Sequence, residues 1–217
     1  MTTTIPYAAG RHRRPGVFLA FEGGDGAGKS SQVRLLQAVL ETAGREVVVT
    51  RQPGGTALGQ RLRDLVLHGE HMHARAEALL YAADKAQHVE EVIRPALARG
   101  AVVITDRYTD SSIAYQGAGR ALGPAEIQRL LEWSVGGLYP DLTVLVDVPA
   151  AVGRERRGAV HDRLEAEGDD FHERVRAHFL DLAAATPERY LVVDGTQPVE
   201  SIHATVLAGL RLAELLT

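Results

Sequence analysis

The segment Gly23-Gly24-Asp25-Gly26-Ala27-Gly28-Lys29-Ser30 matches G-x-x-x-x-G-K-[ST] at every fixed position. Glycines let the backbone curl so that successive N–H groups point inward at phosphate oxygens. A helix that starts at the end of such a loop adds its positive N-terminal end. Lys29 supplies a compact charge to the β- and γ-phosphates, Ser30 supplies a hydroxyl to Mg²⁺, and Ser31 follows in the same turn. The pattern predicts a nucleoside triphosphate site over residues 23–31. It leaves the fate of the γ-phosphate open among switch, motor and kinase. The chain contains no asparagine, so a guanine-reading Asn-Lys-x-Asp motif is absent. Its 217 residues are few for a motor ATPase and suit a small kinase.

Asp106-Arg107-Tyr108 closes a later apolar run. Ligands of open α/β sheets sit beyond the carboxyl ends of strands. That places Arg107 where a guanidinium can hold a second phosphate in two-pronged fashion, and Asp106 where it can bind hydrated Mg²⁺. Weaker candidates are His68, His71 and His73 as a metal site and Asp147 as a metal ligand. Gln197 is a residue that could approach adenine. Trp133, the single tryptophan, is expected to pack rather than bind.

These residues need a scaffold. Apolar runs rich in β-branched residues occupy 17–21, 47–50, 102–105, 143–148 and 190–193. They are continuous rather than alternating, as strands are when helices cover both faces of a sheet. Helical periodicity lies between them, for example at Val33, Leu36 and Leu40. It recurs at Ile127, Leu130 and Leu131, where Gly123-Pro124 opens the segment. The segment through Val89, Val92 and Ile93 either ends near Arg94-Pro95 or continues kinked past it. Alternation of this kind predicts an α/β fold, a five-stranded parallel sheet flanked by helices.

Composition agrees. Hydrophobic residues at 45% supply a core, and 24 basic against 28 acidic residues argue against a nucleic-acid-coating protein. The absence of cysteine excludes disulfides, thiolate metal sites and a cysteine nucleophile. No apolar run approaches the roughly 18–20 residues that span a bilayer, and the N-terminus lacks a secretory pattern. A cytoplasmic address follows as the expectation. Residues 1–15 read as a basic tail, with Arg11, Arg13 and Arg14, and 16–217 as one domain. Residues 153–170, glycine-rich and densely charged, read as a solvated loop or a mobile lid.

Taken together, FEGGDGAGKSSQ, TRQPGGT, LLYAADKAQHV, DRYTDSSIAYQGAGR, DRLE and FHERVR resemble, in order and spacing, the bacterial thymidylate kinases, P-loop enzymes that phosphorylate dTMP to dTDP. The resemblance runs from about Gly16 to the C-terminus. It implies ATP as co-substrate, Mg²⁺, a homodimer built by helix packing, and no nucleic-acid or membrane partner. Asp25 would lie near the dTMP phosphate and metal. Arg51, with Pro53 in the same turn, would contact the acceptor phosphate, and Arg107 would clamp it. Tyr81 stands where the family usually has a phenylalanine that stacks on thymine, and Lys85 where it usually has a base-bonding arginine. Ser111, Ser112 and Gln116 would line the base and sugar pocket, with Tyr115 beneath C2′. Gln52 replaces a common acidic residue. Gly26 leaves the P-loop without a helper arginine, so the resemblance is to the lid-arginine type. The lid offers Arg154, Arg156, Arg157 and Arg163, with Arg157 first because Gly158 follows it.

Overall fold

The computed structural model describes residues 15–156 and 162–216. All but Pro15 of the expected tail, and Arg157 of the expected lid, lie outside the described residues.

Five strands form one parallel sheet in the order β2-β3-β1-β4-β5. They are β1 Val17–Glu22, β2 Val47–Arg51, β3 Val102–Asp106, β4 Leu142–Asp147 and β5 Tyr190–Asp194. Side chains alternate between two buried faces, as a strand period of two requires. Leu19 and Phe21 join Val144 and Val146 against α1 (Lys29–Thr42) and α9 (Val199–Leu212). Phe18 and Ala20 join Val103 on the opposite face, against Val89 and Ile93. Each buried Leu, Ile or Phe contributes about 1.5–3 kcal/mol relative to exposure, so the central strands are the firmest part of the molecule.

Each strand ends on a charged residue: Glu22, Arg51, Asp106, Asp147 or Asp194. Register places Phe21 and Arg51 on either side of Asp106. The chemistry-bearing residues therefore emerge together at the carboxyl edge of the sheet.

Two helices carry most of the remaining site. Helix α2 (Ala57–His68) starts at Thr56, whose Oγ1 accepts from Gly59 N at 2.9 Å, a side-chain cap on an otherwise orphan N–H. Helix α3 (Ala74–His88) follows, and its His73 Nδ1 accepts from Arg75 N at 3.2 Å. A π-helical turn, Val89–Ile93, continues it into α4 (Arg94–Ala98). The segment thus runs past Pro95, because the wider turn before it makes room for the ring and for the carbonyl that proline, lacking an N–H, leaves without a donor. After β3 come α5 (Thr109–Ser112), a second π-helical turn (Ile113–Gly119) and α6 (Pro124–Val135). Beyond β4 stand α7 (Ala150–Arg156) and α8 (Asp169–Ala185). No helix among the described residues is long and apolar enough to cross a membrane.

Candidate active site

The loop between β1 and α1 bends through left-handed glycines at Gly26 (φ 78°) and Gly28 (φ 97°). Lys29 Nζ donates to the carbonyls of Gly23 (3.0 Å) and Gly24 (2.8 Å), so the ammonium lies at the rim of the loop. Burial, and then the charge of Arg107, lower its pKa to about 8. Ser30 Oγ donates to Asp106 Oδ2 at 2.8 Å. The two groups expected to serve a metal are thus adjacent, although they are 76 residues apart in sequence.

A Cβ at Gly26 would fall 2.3 Å from the carbonyl oxygen of Gly153 in α7, and one at Gly153 would fall 2.5 Å from that of Asp25. The P-loop and the base of the lid touch backbone to backbone. No side chain fits at Gly26, so a phosphate-directed arginine must come from elsewhere.

Arg107 is the junction of the site. It adopts φ 68°, a strained region for a non-glycine residue. Its Nη1 donates to Gly23 O (3.0 Å) and Ser111 Oγ (2.9 Å), and its Nη2 to Asp25 Oδ1 (2.5 Å). Tyr115 OH donates to Asp25 Oδ2 at 2.8 Å, and Arg107 lies over the Tyr115 ring at 5.1 Å. Burial works against the charge on Asp25, but Arg107 and Lys29 outweigh it and hold the carboxyl well below the usual carboxylate range.

Glu22, which the sequence reading missed, organises the turn that carries Arg107. Fully buried, it accepts from Tyr108 N (2.7 Å), Ser111 N (3.1 Å) and Ser111 Oγ (2.5 Å). Burial, and then the Asp110 charge, raise its pKa. The one trace of it in the sequence is an acidic residue that ends an apolar strand immediately before the glycine loop, and the partners that give it a role come only with the fold.

Two cavities meet here. One, of about 420 Å³, is lined by residues 25–31 together with Arg51, Asp106 and Arg107. The other, of about 140 Å³, is lined by Pro53, Tyr81, Lys85, Ser111, Ser112, Tyr115 and Gln116. Asp25, Gln52, Arg63 and Arg107 line both. Arg63, also missed, donates from Nη1 to Pro53 O at 3.1 Å. It is one of many surface-reading arginines in the sequence, and only the folding of α2 over the site singles it out. Arg51 lines the larger cavity alone, with Nη2 donating to Gln60 Oε1 at 3.3 Å.

Helix α3 positions much of the smaller cavity. Tyr81 and Lys85, one turn apart, both point into it, and Lys85 Nζ lies 5.5 Å from the Tyr81 ring centroid. Lys85 is 1% exposed, and burial lowers its pKa to about 8 against the opposing pull of Asp84. The same face of α3 also holds the turn after β2. Asp84 Oδ1 accepts from Gly54 N at 3.0 Å. His88 meets Gln52 Nε2 at 2.8 Å and Thr50 Oγ1 at 2.6 Å. Burial, then Lys85, lower the pKa of His88 to about 4. A neutral Gln52 therefore faces a neutral imidazole. Donation from Gln52 Nε2 requires Nδ1 to accept, so the ring proton sits on Nε2 toward Thr50.

The remaining candidates are dispersed. Arg154 pairs with Asp169, and Arg156 Nη1 donates to Gly195 O at 2.8 Å. Arg163 Nη2 lies 2.6 Å from Glu77, and its Nε donates to Val66 O. None of these three lines either cavity that meets at Arg107. Gln197 lines neither, and its Nε2 donates to Asp194 Oδ2 at 2.8 Å. Asp147 is held by Arg176 through two hydrogen bonds of 2.8 and 2.9 Å, which takes up both carboxylate oxygens. No group of three or more His, Asp or Glu among the described residues could hold a metal ion, so the histidine cluster is set aside. Trp133 does not pack. It is 82% exposed, because α6 buries Ile127, Leu131 and Val135 on its other side.

Comparison with known proteins agrees with this geometry. The thymidylate kinase family profile matches residues 21–206. A thymidylate kinase of Clavibacter sepedonicus is 61% identical over 197 residues, covering 89% of this chain and 93% of its own. One from Bifidobacterium longum (strain NCC 2705) is 54% identical over 201 residues, covering 90% and 98%. The crystal structure of thymidylate kinase from Ehrlichia chaffeensis superposes with a TM-score of 0.76 at 32% identity, covering 90% of this chain and 98% of that one. With the two cavities joined at Arg107, the chain belongs to the thymidylate kinase family.

Proposed function

We propose a division of labour among these residues for the reaction of the family, in which the γ-phosphoryl of ATP passes to dTMP and gives dTDP and ADP. The observation that carries it is the wall of Asp25, Gln52, Arg63 and Arg107 shared by the P-loop cavity and the smaller one. Two polyanions repel, so catalysis here is positioning and charge neutralisation.

The P-loop amides and Lys29 hold the ATP phosphates. Arg107 and Arg51 hold the dTMP phosphate between the cavities, and Arg63 adds a third guanidinium. Tyr81 stacks on the base, Lys85 donates to it, and Ser111, Ser112 and Gln116 complete its surroundings. Tyr115 stands beneath the sugar. Ser30 and Asp106 offer adjacent hard oxygen donors that suit Mg²⁺, which neutralises phosphate charge when bound. No general base is required, because a phosphate oxygen is nucleophilic at neutral pH. We assign Arg157 the role of the lid arginine for the transferring group, and Gln197 that of a residue near adenine. We take its place of work to be the cytoplasm.

Neighbouring helices α2, α3 and α6 leave Leu65, Leu79 and Trp133 in solvent. An apolar face of this kind supports a homodimer.

The test is ADP formation from MgATP across nucleoside monophosphates. The reading expects strong dependence on dTMP. ADP release that ignores dTMP, or that prefers another base, overturns it.

A further inference from the structure

Behind Gln116 lies a fully buried carboxylate, Glu77 of α3. Its Oε1 accepts from Gln116 Nε2 at 2.8 Å and from Arg120 Nε at 3.4 Å. Its Oε2 lies 2.6 Å from Arg163 Nη2. Both guanidiniums have second anchors: Arg120 on Glu167 at 2.5 Å, and Arg163 on the Val66 carbonyl at 2.9 Å. The carboxylate therefore sits between two anchored guanidiniums, hydrogen-bonded to Arg120 and paired with Arg163 by charge alone, without hydrogen-bond geometry.

A carboxylate only accepts, while a primary amide presents two donors at one end and an acceptor at the other. With its nitrogen end turned to Glu77, Gln116 presents the opposite end of the amide, its carbonyl oxygen, to the smaller cavity, which it lines. Lys85, lining the same cavity, can only donate. Thymine carries an N3–H donor and an O4 acceptor. Cytosine carries the reverse, an N3 acceptor and an N4 amino donor. One fixed acceptor and one fixed donor match thymine and leave cytosine with two unpaired polar contacts.

We propose that Glu77 is the positioning residue for base choice, locking the Gln116 amide with its acceptor toward the cavity. The inference rests on the reading of that cavity as the base site. Glu77 itself touches no substrate. Its effect passes through the orientation of Gln116, and an amide free to flip would accept either base.

The experiment compares kcat/KM for dTMP and dCMP in single variants of the full chain. Glu77→Gln keeps the shape but can face Gln116 with either end of its own amide. The dTMP-to-dCMP ratio is expected to fall at least about tenfold, through the KM for the nucleotide, with the KM for ATP unchanged. Arg120→Gln, which loosens the same cluster without removing the obligate acceptor, is expected to keep the ratio within about twofold. Should Glu77→Gln fail to fold, the charge-preserving exchange Glu77→Gln with Gln116→Glu serves instead. A carboxylate at 116 must accept, so thymine preference is expected to persist. Loss of preference in that exchange, an unchanged ratio in Glu77→Gln, or an equal fall in Arg120→Gln overturns the proposal. Gln116→Ala separates the two levels. If it lowers the ratio while Glu77→Gln does not, only the lock is wrong. If neither lowers it, the reading of the base site fails as well.

Discussion

Arg107 and Asp25 form an ion pair of 2.5 Å in the wall that divides the two cavities. Each group is largely withdrawn from water, and each stabilises the charge of the other. The same guanidinium holds Gly23 O, so it ties the P-loop to the turn after β3. An acceptor phosphate entering the smaller cavity therefore meets a cation already aimed at the P-loop, and little reorganisation is left for the reaction itself.

Lys29→Ala should remove kinase activity while the protein stays folded. The ammonium rests on two P-loop carbonyls and supports no packing layer. A fall in kcat of at least about 10²-fold is expected from loss of the phosphate-directed charge, with an unchanged circular dichroism spectrum. Near-normal turnover would remove Lys29 from the mechanism.

Lys85 should impose an alkaline limit on dTMP use. Its pKa, lowered to about 8, means that the ammonium is present below that pH and lost above it. At saturating MgATP, where the phosphates hold Lys29 charged, kcat/KM for dTMP should fall as pH rises through about 8. In Lys85→Arg the fall should vanish, because a guanidinium stays protonated. An identical pH profile in the variant would assign the limit to another group.

Tyr115 should select deoxyribose. Its ring is braced edge-on by Phe171 and Phe179 at 6.0 and 6.3 Å, and its hydroxyl by Asp25. It cannot easily yield to a 2′-hydroxyl. dUMP should exceed UMP in kcat/KM by at least about tenfold, and Tyr115→Ala should narrow the gap. Equal use of the two by the parent protein would show that the ring does not face C2′.

Arg157→Ala should lower kcat at least about 10²-fold while the KM for dTMP changes less than about fivefold, the pattern of a group that acts mainly in the transition state. The contact of Gly26 with Gly153 supports this, since it denies the P-loop any arginine of its own. Arg154 and Arg156 have partners outside the two cavities, so their alanine variants should cost less. If Arg154, Arg156, Arg157 and Arg163 all prove individually dispensable for kcat, no single lid arginine is essential.

Trp133→Glu should shift the protein from dimer to monomer in analytical ultracentrifugation. A charge placed at an 82% exposed position leaves a monomer's fold untouched but opposes burial against a second copy. A monomeric parent protein would refute the dimer directly.

What the sequence determined by itself was whatever is local. A P-loop binds phosphate with consecutive backbone amides, so residues 23–31 are read without knowing where the rest of the chain goes. The five strands were legible for a similar reason: the central three are buried on both faces, the edge strands β2 and β5 are partly covered, and all leave unbroken apolar runs, each stopping where a charged residue reaches the sheet edge. Tertiary structure decided whatever depends on side-chain direction. Arg163 reads like any other lid arginine, yet it is turned to Glu77, and Arg63 reads like a surface residue, yet it lies in the shared wall. Trp133 follows the same rule, because its outward direction depends on which stripe of α6 meets the core. Glu22 and Glu77 gain their roles only from partners far away in sequence, Ser111 at 89 residues and Gln116 at 39. A hydrogen bond forms only when packing brings donor and acceptor within about 3 Å, and no pattern along the chain carries that distance.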